Sequence, residues 1–246
     1  MKYFFHFPQN PLDRRGDDVR LWIEHWRDDV NVSNPVDADL IVVAGGDGTL
    51  LAAIHKFHEL RKPFFGVGRG TVNFMMNDIA NPNDLPRNIT DCVAVDLRLI
   101  QAEFITPRGG IVHLASNDTY IKAAKHSGVA RMRIETEQEG VFEVDGDGVI
   151  IATPQGSTAY NRNAYGPILP LEEGNLWVLN GICTNKRVRR VIKAQRVRMT
   201  FKYPVVGVAD SIEVHEVSEL VVTPTDKTIT LLFREGEPFH ERRREL

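Results

Sequence analysis

Cysteine is nearly absent from this sequence, since only Cys92 and Cys183 occur among its 246 residues. Two isolated thiols exclude the disulfide framework of small secreted domains, and they do not have the spacing of a zinc site. This cysteine usage favours a reducing environment, and we expect the protein in the cytoplasm.

Long apolar runs and a strong excess of one charge are missing as well. No stretch approaches the roughly 20 apolar residues that cross a bilayer, and the apolar part of MKYFFHF is too short for a signal-peptide core. The 30 basic and 33 acidic residues leave a formal net charge of −3. We therefore expect neither a membrane nor a nucleic acid as partner.

Strand and helix patterns alternate over residues 1–95. Short apolar runs predict strands, and apolar residues at helical spacing predict amphipathic helices. The order β-α-β-α-β predicts an α/β N-terminal domain with a parallel sheet. The strand candidates are Lys2–Phe7, Leu40–Ala44 and Pro63–Val67, and the helix candidates are Asp17–Asp29 and Thr49–Leu60.

From about Val93 onwards the apolar residues alternate with a period of two. This pattern recurs at Arg131–Glu135, Val197–Phe201 and Leu220–Thr223, with turn residues between the runs. Residues 96–227 are therefore predicted to form a β-rich, antiparallel and sandwich-like C-terminal domain. Turns are predicted at residues 107–110, 139–140 and 145–148, and a further strand at Thr228–Phe233 precedes a charged tail.

The sharpest local signal is Gly45-Gly46-Asp47-Gly48-Thr49, between a strand pattern and a helix pattern. Glycines there let a phosphate approach the backbone N–H groups, and the helix N-terminus adds partial positive charge, with Thr49 as the predicted N-cap. A carboxylate beside phosphates is repelled unless a metal or a proton mediates. Asp47 therefore fits a Mg²⁺ ligand or a general base, and a capping role is the structural alternative.

A second glycine-rich segment, Gly66-Val67-Gly68-Arg69-Gly70-Thr71, follows the next strand candidate. Adjacent parallel strands that end in such loops form a crevice where ligands bind. Arg69 is a candidate phosphate contact in that crevice, although a solvent-exposed loop arginine is the favoured interpretation.

Two polar segments interrupt the predicted β domain. Ser116-Asn117-Asp118 places an amide beside a carboxylate, which suits a ribose diol or an adenine edge, with an Asx-turn as the structural alternative. Residues 153–160 (TPQGSTAY) have the composition of a capped helix start at Ser157 or Thr158, and a ligand contact is the less favoured interpretation.

Together these segments resemble the NAD kinase family, whose members use ATP or polyphosphate as phosphate donor. GGDGT alone also occurs in lipid kinases and phosphofructokinases, but its combination with TPQGSTAY is specific. The matching motifs are GGDGT at 45–49, GVGRGTVNFMMN at 66–77, SND at 116–118, DGVIIATPQGSTAYN at 147–161, GPILPLE at 166–172 and VADSIEV at 208–214.

The resemblance implies phosphoryl transfer to the adenosine ribose 2′-hydroxyl of NAD, with Asp47 as the catalytic residue. Asn117 and Asp118 match the pair that holds the adenosine, and Asp147 matches a carboxylate on the nicotinamide side. The residues expected to bind the nucleotides are Gly45, Gly46, Gly48, Thr49, Arg69, Phe74, Asn117, Asp118, Asp147, Thr158, Ala159, Tyr160 and Asn163.

The resemblance also implies a divalent metal, Mg²⁺, for which no protein ligands are assigned. It implies a homodimer or homotetramer with shared sites, and a C-terminal segment, 228–246, that returns to the first domain. Two other functions stay open, namely a lipid or sugar kinase of the same superfamily and a non-catalytic NAD-binding protein.

Four positions depart from the usual family pattern, and they affect the acceptor detail more than the reaction. Gly68 stands where many members have Asn, and Asn73 stands where Gly is usual. Asn163 replaces a frequent Ser, and Asp145 adds a carboxylate two residues before Asp147.

Three other polar features are expected to be structural. His55 and His58 are interpreted as a surface pair, because a metal site needs more converging ligands. The basic run at 186–198 is interpreted as a solvated sheet edge, with a phosphate contact or a subunit interface as the less favoured interpretation. Asp145 with Asp147 could bind Mg²⁺, but the glycines beside them suit a hairpin turn better than a metal site.

Overall fold

The computed structural model describes residues 1–10, 12–24, 30–125 and 128–236. The chain forms two compact units, which we call the first unit (Met1–Leu97 and the segment from Ile229) and the second unit (Arg98–Thr228). The strands of the described residues are β1 (Tyr3–His6), β2 (Leu40–Gly45), β3 (Phe64–Gly68), β4 (Cys92–Thr106), β5 (Gly109–Ala115), β6 (Asp118–Ala123), β7 (Ala130–Thr136), β8 (Gly140–Gly146), β9 (Gly148–Ala152), β10 (Leu176–Ile182), β11 (Arg189–Lys193), β12 (Val197–Ala209) and β13 (Ile212–Arg234).

Helices are concentrated in the first unit. The α-helices are α1 (Asp17–Glu24), α2 (Asp47–Phe57), α3 (Leu85–Thr90) and α4 (Tyr160–Asn163), and 3-10 turns lie at Pro35–Asp37, His58–Leu60, Pro82–Asp84 and Gln155–Thr158. Within the described ranges, no helix is both long and apolar enough to cross a membrane.

The first unit contains a parallel sheet. β2 pairs in parallel with β1 and with β3, and the end of β13 adds a parallel neighbour to β3 through Leu231 and Leu232. Every residue of β2 is buried, as expected for a strand covered on both faces. The predicted parallel α/β arrangement is therefore confirmed.

The second unit is built from antiparallel pairs. β6, β9, β10 and β11 are consecutive neighbours, and β12 pairs with β6 through its C-terminal part and with β7 through its N-terminal part. The predicted turns at 107–110 and 139–140 join the hairpins β4–β5 and β7–β8. Phe104, Trp177 and Met199 belong to one buried core of this unit, so the predicted antiparallel region is confirmed.

The prediction that Thr49 is an N-cap is wrong. The N-cap is Gly46, in extended conformation, and its carbonyl accepts the N–H groups of Thr49 (2.9 Å) and Leu50 (3.2 Å). The helix thus begins at Asp47, two residues earlier than the apolar pattern indicates. Thr49 consequently lies in the first helical turn, where it is buried.

The predicted hairpin at 145–148 is also wrong. β8 pairs with β7, whereas β9 pairs with β6 and β10, so Asp147 links two strands that are not partners. Gly148 is required because a Cβ there would lie 2.0 Å from the Ile121 carbonyl oxygen.

Two segments differ from the apolar periodicity for other reasons. α1 covers Asp17–Glu24 with Val19 buried, and the rest of the predicted helix, including Trp26, lies outside the described residues, as do residues 237–246 of the tail. α3 is not indicated by the sequence pattern because Leu85 and Ile89 supply only one buried pair.

Candidate active site

The phosphate-loop candidate is the turn between β2 and α2 in the first unit. The first N–H groups of α2 have no intrahelical acceptor, so this helix end favours an anion. Gly45 is tightly packed, since a Cβ there would lie 2.5 Å from Thr49 Oγ1, and a Cβ at Gly46 would lie 3.4 Å from Gly70 Cα. At Gly48 a Cβ would meet no described atom within 4 Å, so this glycine is open to a ligand.

Asp47 is oriented by the loop that follows β3. Its Oδ2 accepts the Phe74 N–H at 2.9 Å, and its Oδ1 accepts the Met75 N–H at 2.9 Å. The helix cap is Gly46, and no side chain caps this end, so the capping interpretation of Asp47 is wrong. The carboxylate is therefore held in one orientation by two backbone donors.

The loop after β3 is itself fixed by Asn73. The Asn73 amide accepts the Gly70 N–H (2.9 Å) and donates to the Gly70 carbonyl (2.8 Å), and its backbone has a φ of 58°. A Cβ at Gly68 would lie 3.0 Å from this amide. The departures at Gly68 and Asn73 are thus coupled, because the Asn73 side chain fills the space beside Gly68.

Arg69 is not a solvent-exposed loop arginine, and that interpretation is wrong. Its guanidinium pairs with Asp18 at 2.8 Å and donates to the carbonyls of Gly68 (2.8 Å) and Ile79 (2.8 Å), leaving 17% of the side chain exposed. Asp18 lies on α1, so the side chain ties that helix to the loop after β3. A phosphate contact of Arg69 stays a prediction.

In the second unit, Asn117 occupies a bend and Asp118 begins β6. Three consecutive N–H groups of this turn, from Ser116 to Asp118, donate to the carboxylate of Asp210. The Asx-turn interpretation is wrong, since Asp210 and not Asn117 satisfies these groups. Asn117 Oδ1 is buried without a protein partner among the described residues.

Asp118 is 4% exposed, which changes its charge state. Burial, followed by the negative charge of Asp210, raises the pKa of the Asp118 carboxyl to about 8. The group is therefore mostly protonated at neutral pH and offers an O–H donor. Burial thus favours the protonated carboxyl group over the ionised carboxylate, which could only accept hydrogen bonds.

The segment 153–160 does not form the predicted capped helix start. Gln155–Thr158 is a 3-10 turn, and α4 begins only at Tyr160, without a side-chain cap. Ser157 Oγ donates to the Pro154 carbonyl at 2.7 Å, and Thr158 Oγ1 donates to the Gln155 carbonyl at 3.2 Å. These hydroxyls are used within the chain, and Ala159, which precedes α4, is half-buried.

Tyr160 lies among several of the predicted site residues. Its ring stacks edge-on against Tyr120, with 4.9 Å between the ring centroids, and 37% of the residue is exposed. Burial raises the pKa of the Tyr160 phenol, and the negative charges of Asp147 and Asp118 raise it further. The second unit thus brings Asp118, Asp147 and Tyr160 around the β6–β9 pair, and Asn163 is exposed at the end of α4.

Metal-ligating clusters are absent from the part of the chain that the structure describes, where no three His, Cys, Asp or Glu side chains converge. His55 and His58 are half-buried rather than exposed, and His58 Nδ1 lies 3.2 Å from the Ile54 carbonyl oxygen. In the basic run, Arg190 pairs with Glu139 and Arg198 with Glu219.

Three positioning features escaped the sequence interpretation: the Asp210 carboxylate, the Asn73 clamp and the close packing of Gly156. A Cβ at Gly156 would lie 1.9 Å from the Asn117 carbonyl oxygen. Asp210 lies within the matching motif VADSIEV, but its local signal, Asp-Ser between two strand patterns, indicates only a turn and not its partner.

Two family models match the chain. They are the ATP-NAD kinase N-terminal domain over residues 5–97 and the ATP-NAD kinase C-terminal domain over residues 116–202. The NAD kinase of Rickettsia bellii is 38% identical over 221 residues, and that of Rickettsia rickettsii is 36% identical over 218 residues. Each alignment covers 84% of this chain and 84% of the relative.

Solved structures show the same fold. Yeast NADH kinase complexed with NADH has a TM-score of 0.82 at 18% identity, covering 100% of this chain and 87% of that one. An NAD kinase from Archaeoglobus fulgidus in complex with ATP has a TM-score of 0.73 at 20% identity, covering 100% and 97%. The chain therefore belongs to the NAD kinase family and is a kinase that phosphorylates NAD.

Proposed function

We propose that the chain transfers the terminal phosphoryl group of ATP to the 2′-hydroxyl of the adenosine ribose of NAD, giving NADP and ADP. The observation that carries this proposal is the Asp47 carboxylate, fixed by the Phe74 and Met75 N–H groups at the start of α2. The family description, ATP-NAD kinase, supports ATP as the donor.

Asp47 is assigned the general-base role in this reaction. The Phe74 and Met75 N–H groups orient the carboxylate, and a carboxylate oxygen is an acceptor suited to the proton of a substrate hydroxyl. As the 2′-oxygen forms its bond to phosphorus, the bond to ADP breaks and the hydroxyl proton passes to Asp47. General-base catalysis of this kind contributes about 10²- to 10⁴-fold.

The phosphates are assigned to the glycine-rich turn at 45–49. Gly48 is open on the side where a Cβ would stand, and the α2 N-terminus supplies backbone donors to an anion. Thr49 is buried within the first helical turn, so its contribution is to hold the turn against Gly45. Phe74 is placed beside the same carboxylate by its backbone N–H.

The nucleoside part of NAD is assigned to residues of the second unit. The buried Asn117 Oδ1 has no protein partner in the described part of the chain, so it offers an acceptor to a ligand amine or hydroxyl. The protonated Asp118 offers a donor and an acceptor. Tyr160, Ala159 and Asp147 are further contacts in this proposal.

Mg²⁺ is part of the proposal as a companion of the donor phosphates. Mg²⁺ is commonly bound by one or two carboxylates together with substrate phosphates, rather than by a cage of protein ligands. The oriented Asp47 carboxylate at the start of α2 is compatible with a nearby cation, but its assigned role is proton acceptance, and no protein ligand is assigned to the metal. When bound, the metal would neutralise phosphate charge.

The proposal extends to the setting of the protein. We assign a cytoplasmic homodimer or homotetramer without a membrane or nucleic acid partner. The support is the family resemblance, the cysteine usage and the charge balance of the sequence.

The test is one panel of incubations with Mg²⁺, in which NADP is detected with an NADP-specific dehydrogenase. NAD with ATP is expected to give NADP. If NADP forms only with polyphosphate, the donor assignment is wrong. If NAD binds but no donor gives NADP, the chain is a non-catalytic binding protein. If diacylglycerol is phosphorylated in place of NAD, the lipid kinase alternative holds.

A further inference from the structure

We propose that Asp210 is a positioning residue for the NAD acceptor, because it fixes the turn Ser116–Asp118 from which Asn117 and Asp118 bind the nucleoside. The inference rests on the proposed function and deepens it. Asp210 itself is assigned no contact with the substrate, so its effect passes through the turn.

The hydrogen bonds between Asp210 and this turn carry the proposal. Oδ2 accepts the Ser116 N–H at 2.8 Å, and Oδ1 accepts the N–H groups of Asn117 at 2.8 Å and Asp118 at 3.1 Å. The Asp210 N–H also donates to the Asp118 carbonyl at 2.9 Å. One residue therefore makes four hydrogen bonds to three consecutive residues.

The carbonyl groups of the turn are held from the other side. The single Thr153 hydroxyl proton is shared between the carbonyls of Ser116 (2.7 Å) and Asn117 (2.9 Å), and Gln155 Nε2 donates to the Ser116 carbonyl (2.7 Å). Since the backbone groups of the turn are engaged within the chain, the Asn117 and Asp118 side chains are the groups left for a ligand. Removing the Asp210 carboxylate leaves backbone donors unpaired in a buried place.

The backbone conformation of Asp210 is one that Asn also adopts, so Asp210→Asn tests the carboxylate alone. Asp210 lies in the tight turn between β12 and β13, at a φ of 53°, a left-handed conformation that Asp and Asn adopt more readily than other residues. Asp210→Asn therefore keeps the backbone conformation. It removes the charge and replaces one of the two acceptor oxygens with an amide donor, which opposes an N–H of the turn.

The charge of Asp210 also acts on Asp118. The groups that face Asp118 are Asp210 on the β12–β13 turn, Tyr120 on the same strand and Tyr160 on α4, and its partner across the sheet, Ala152, is uncharged. Because the Asp210 charge raises the pKa of Asp118, its removal lowers that pKa. The pH dependence of NAD binding then moves to lower pH, which a purely structural role does not produce.

The experiment compares Asp210→Asn with the wild type and with Asp226→Asn, an exposed acidic residue of the same unit. NAD binding is measured by calorimetry across pH, and KM is measured for NAD and for ATP. Asp210→Asn is expected to weaken NAD binding about tenfold to 150-fold, with the ATP KM unchanged and the pH midpoint lowered. Asp226→Asn is expected to behave as the wild type.

Unchanged NAD binding, or an equal loss for ATP and NAD, overturns the inference. A wild type that makes no NADP overturns the proposed function instead, so the two failures are distinct. If Asp210→Asn does not fold, hydrogen exchange of the wild type decides. The Asn117 and Asp118 amides are expected to be protected, and exchange as fast as in an exposed turn overturns the inference.

Discussion

Two acidic side chains of this kinase occupy different electrostatic settings. Asp47 is half-buried and receives one N–H at each oxygen, whereas Asp118 is buried against the charge of Asp210. The first setting holds a carboxyl group in one orientation, and the second keeps a carboxyl group protonated near neutral pH. The same residue type thus differs in its hydrogen bonding and burial at the two positions, and the proposed function uses that difference.

Asp118 predicts a pH dependence of stability. Its pKa of about 8 in the folded chain lies above the value of roughly 4 expected when unfolded, so the folded chain retains a proton that the unfolded chain has lost. The free energy of unfolding should therefore fall as pH rises between these values, by up to about 1.4 kcal/mol per pH unit.

Urea unfolding of the wild type and of Asp118→Asn, between pH 6 and 8, measures this effect. The asparagine variant lacks the titrating group, so its stability should fall less steeply with pH. Parallel slopes for the two proteins contradict the assignment.

Substitutions at Gly68 and Asn73 are predicted to have coupled effects on the free energy of unfolding. A Cβ at Gly68 meets the Asn73 amide at 3.0 Å, so Gly68→Ala should lower the free energy of unfolding by about 1–3 kcal/mol. In an Asn73→Gly background that amide is gone, so the cost of Gly68→Ala should become smaller, and the 3.2 Å approach to the Asn77 carbonyl oxygen accounts for the cost that remains. Urea unfolding of the four proteins of the double-mutant cycle tests this, and additive effects contradict it.

The contacts that the sequence did not predict are those between residues far apart along the chain. Arg69 meets Asp18, which is 51 positions away, and Asp210 meets the turn at 116–118 across more than 90 positions. A local pattern identifies Arg69 as a loop arginine and Asp210 as a turn residue. It contains no information about the partner that folding brings to each of them.

At the element scale, the turn between β2 and α2 combines tight packing with an open position. Gly45 packs against Thr49, while a Cβ at Gly48 meets no described atom within 4 Å. Gly48→Ala should therefore leave stability unchanged or raise it by about 0.5–1 kcal/mol. If phosphates approach this position, the added methyl group of Gly48→Ala blocks one of their charged hydrogen bonds. That loss should raise the ATP KM about tenfold to 150-fold.

The matched variant is Gly45→Ala, whose Cβ would lie 2.5 Å from Thr49 Oγ1 and which should lower the melting temperature. Thermal unfolding and ATP kinetics of both variants separate packing from ligand approach. An unchanged ATP KM in Gly48→Ala contradicts the placement of the phosphates.

Elements with a strong apolar pattern were predictable, and short or irregular ones were not. The buried runs that became β2 and β3, and the turns at 107–110 and 139–140, follow from local sequence. The link at Asp147 has hairpin composition but joins strands with different partners, which only the tertiary pairing determines. α2 begins at Asp47, before its first apolar residue Leu50, so the apolar pattern does not mark its start.

At the scale of the whole molecule, the active form is predicted to be a homodimer or homotetramer. In the described part of the second unit, β5 and β8 each have one strand neighbour, and Ile111, Val112 and Val141 on them are exposed. Such edges are commonly covered by another chain. Light scattering at assay concentration is expected to show an oligomer, and a fully active monomer contradicts this prediction.

The central claim is that Asp47 takes the proton from the NAD 2′-hydroxyl during phosphoryl transfer. The most direct measurement is kcat for NADP formation by Asp47→Asn, with Asp37→Asn, an exposed residue of the same unit, as control. We predict a fall of about 10²- to 10⁴-fold in kcat for Asp47→Asn with NAD affinity retained, and a lower melting temperature because the new amide NH2 opposes the N–H of Phe74 or Met75. A kcat near that of the wild type would contradict the account.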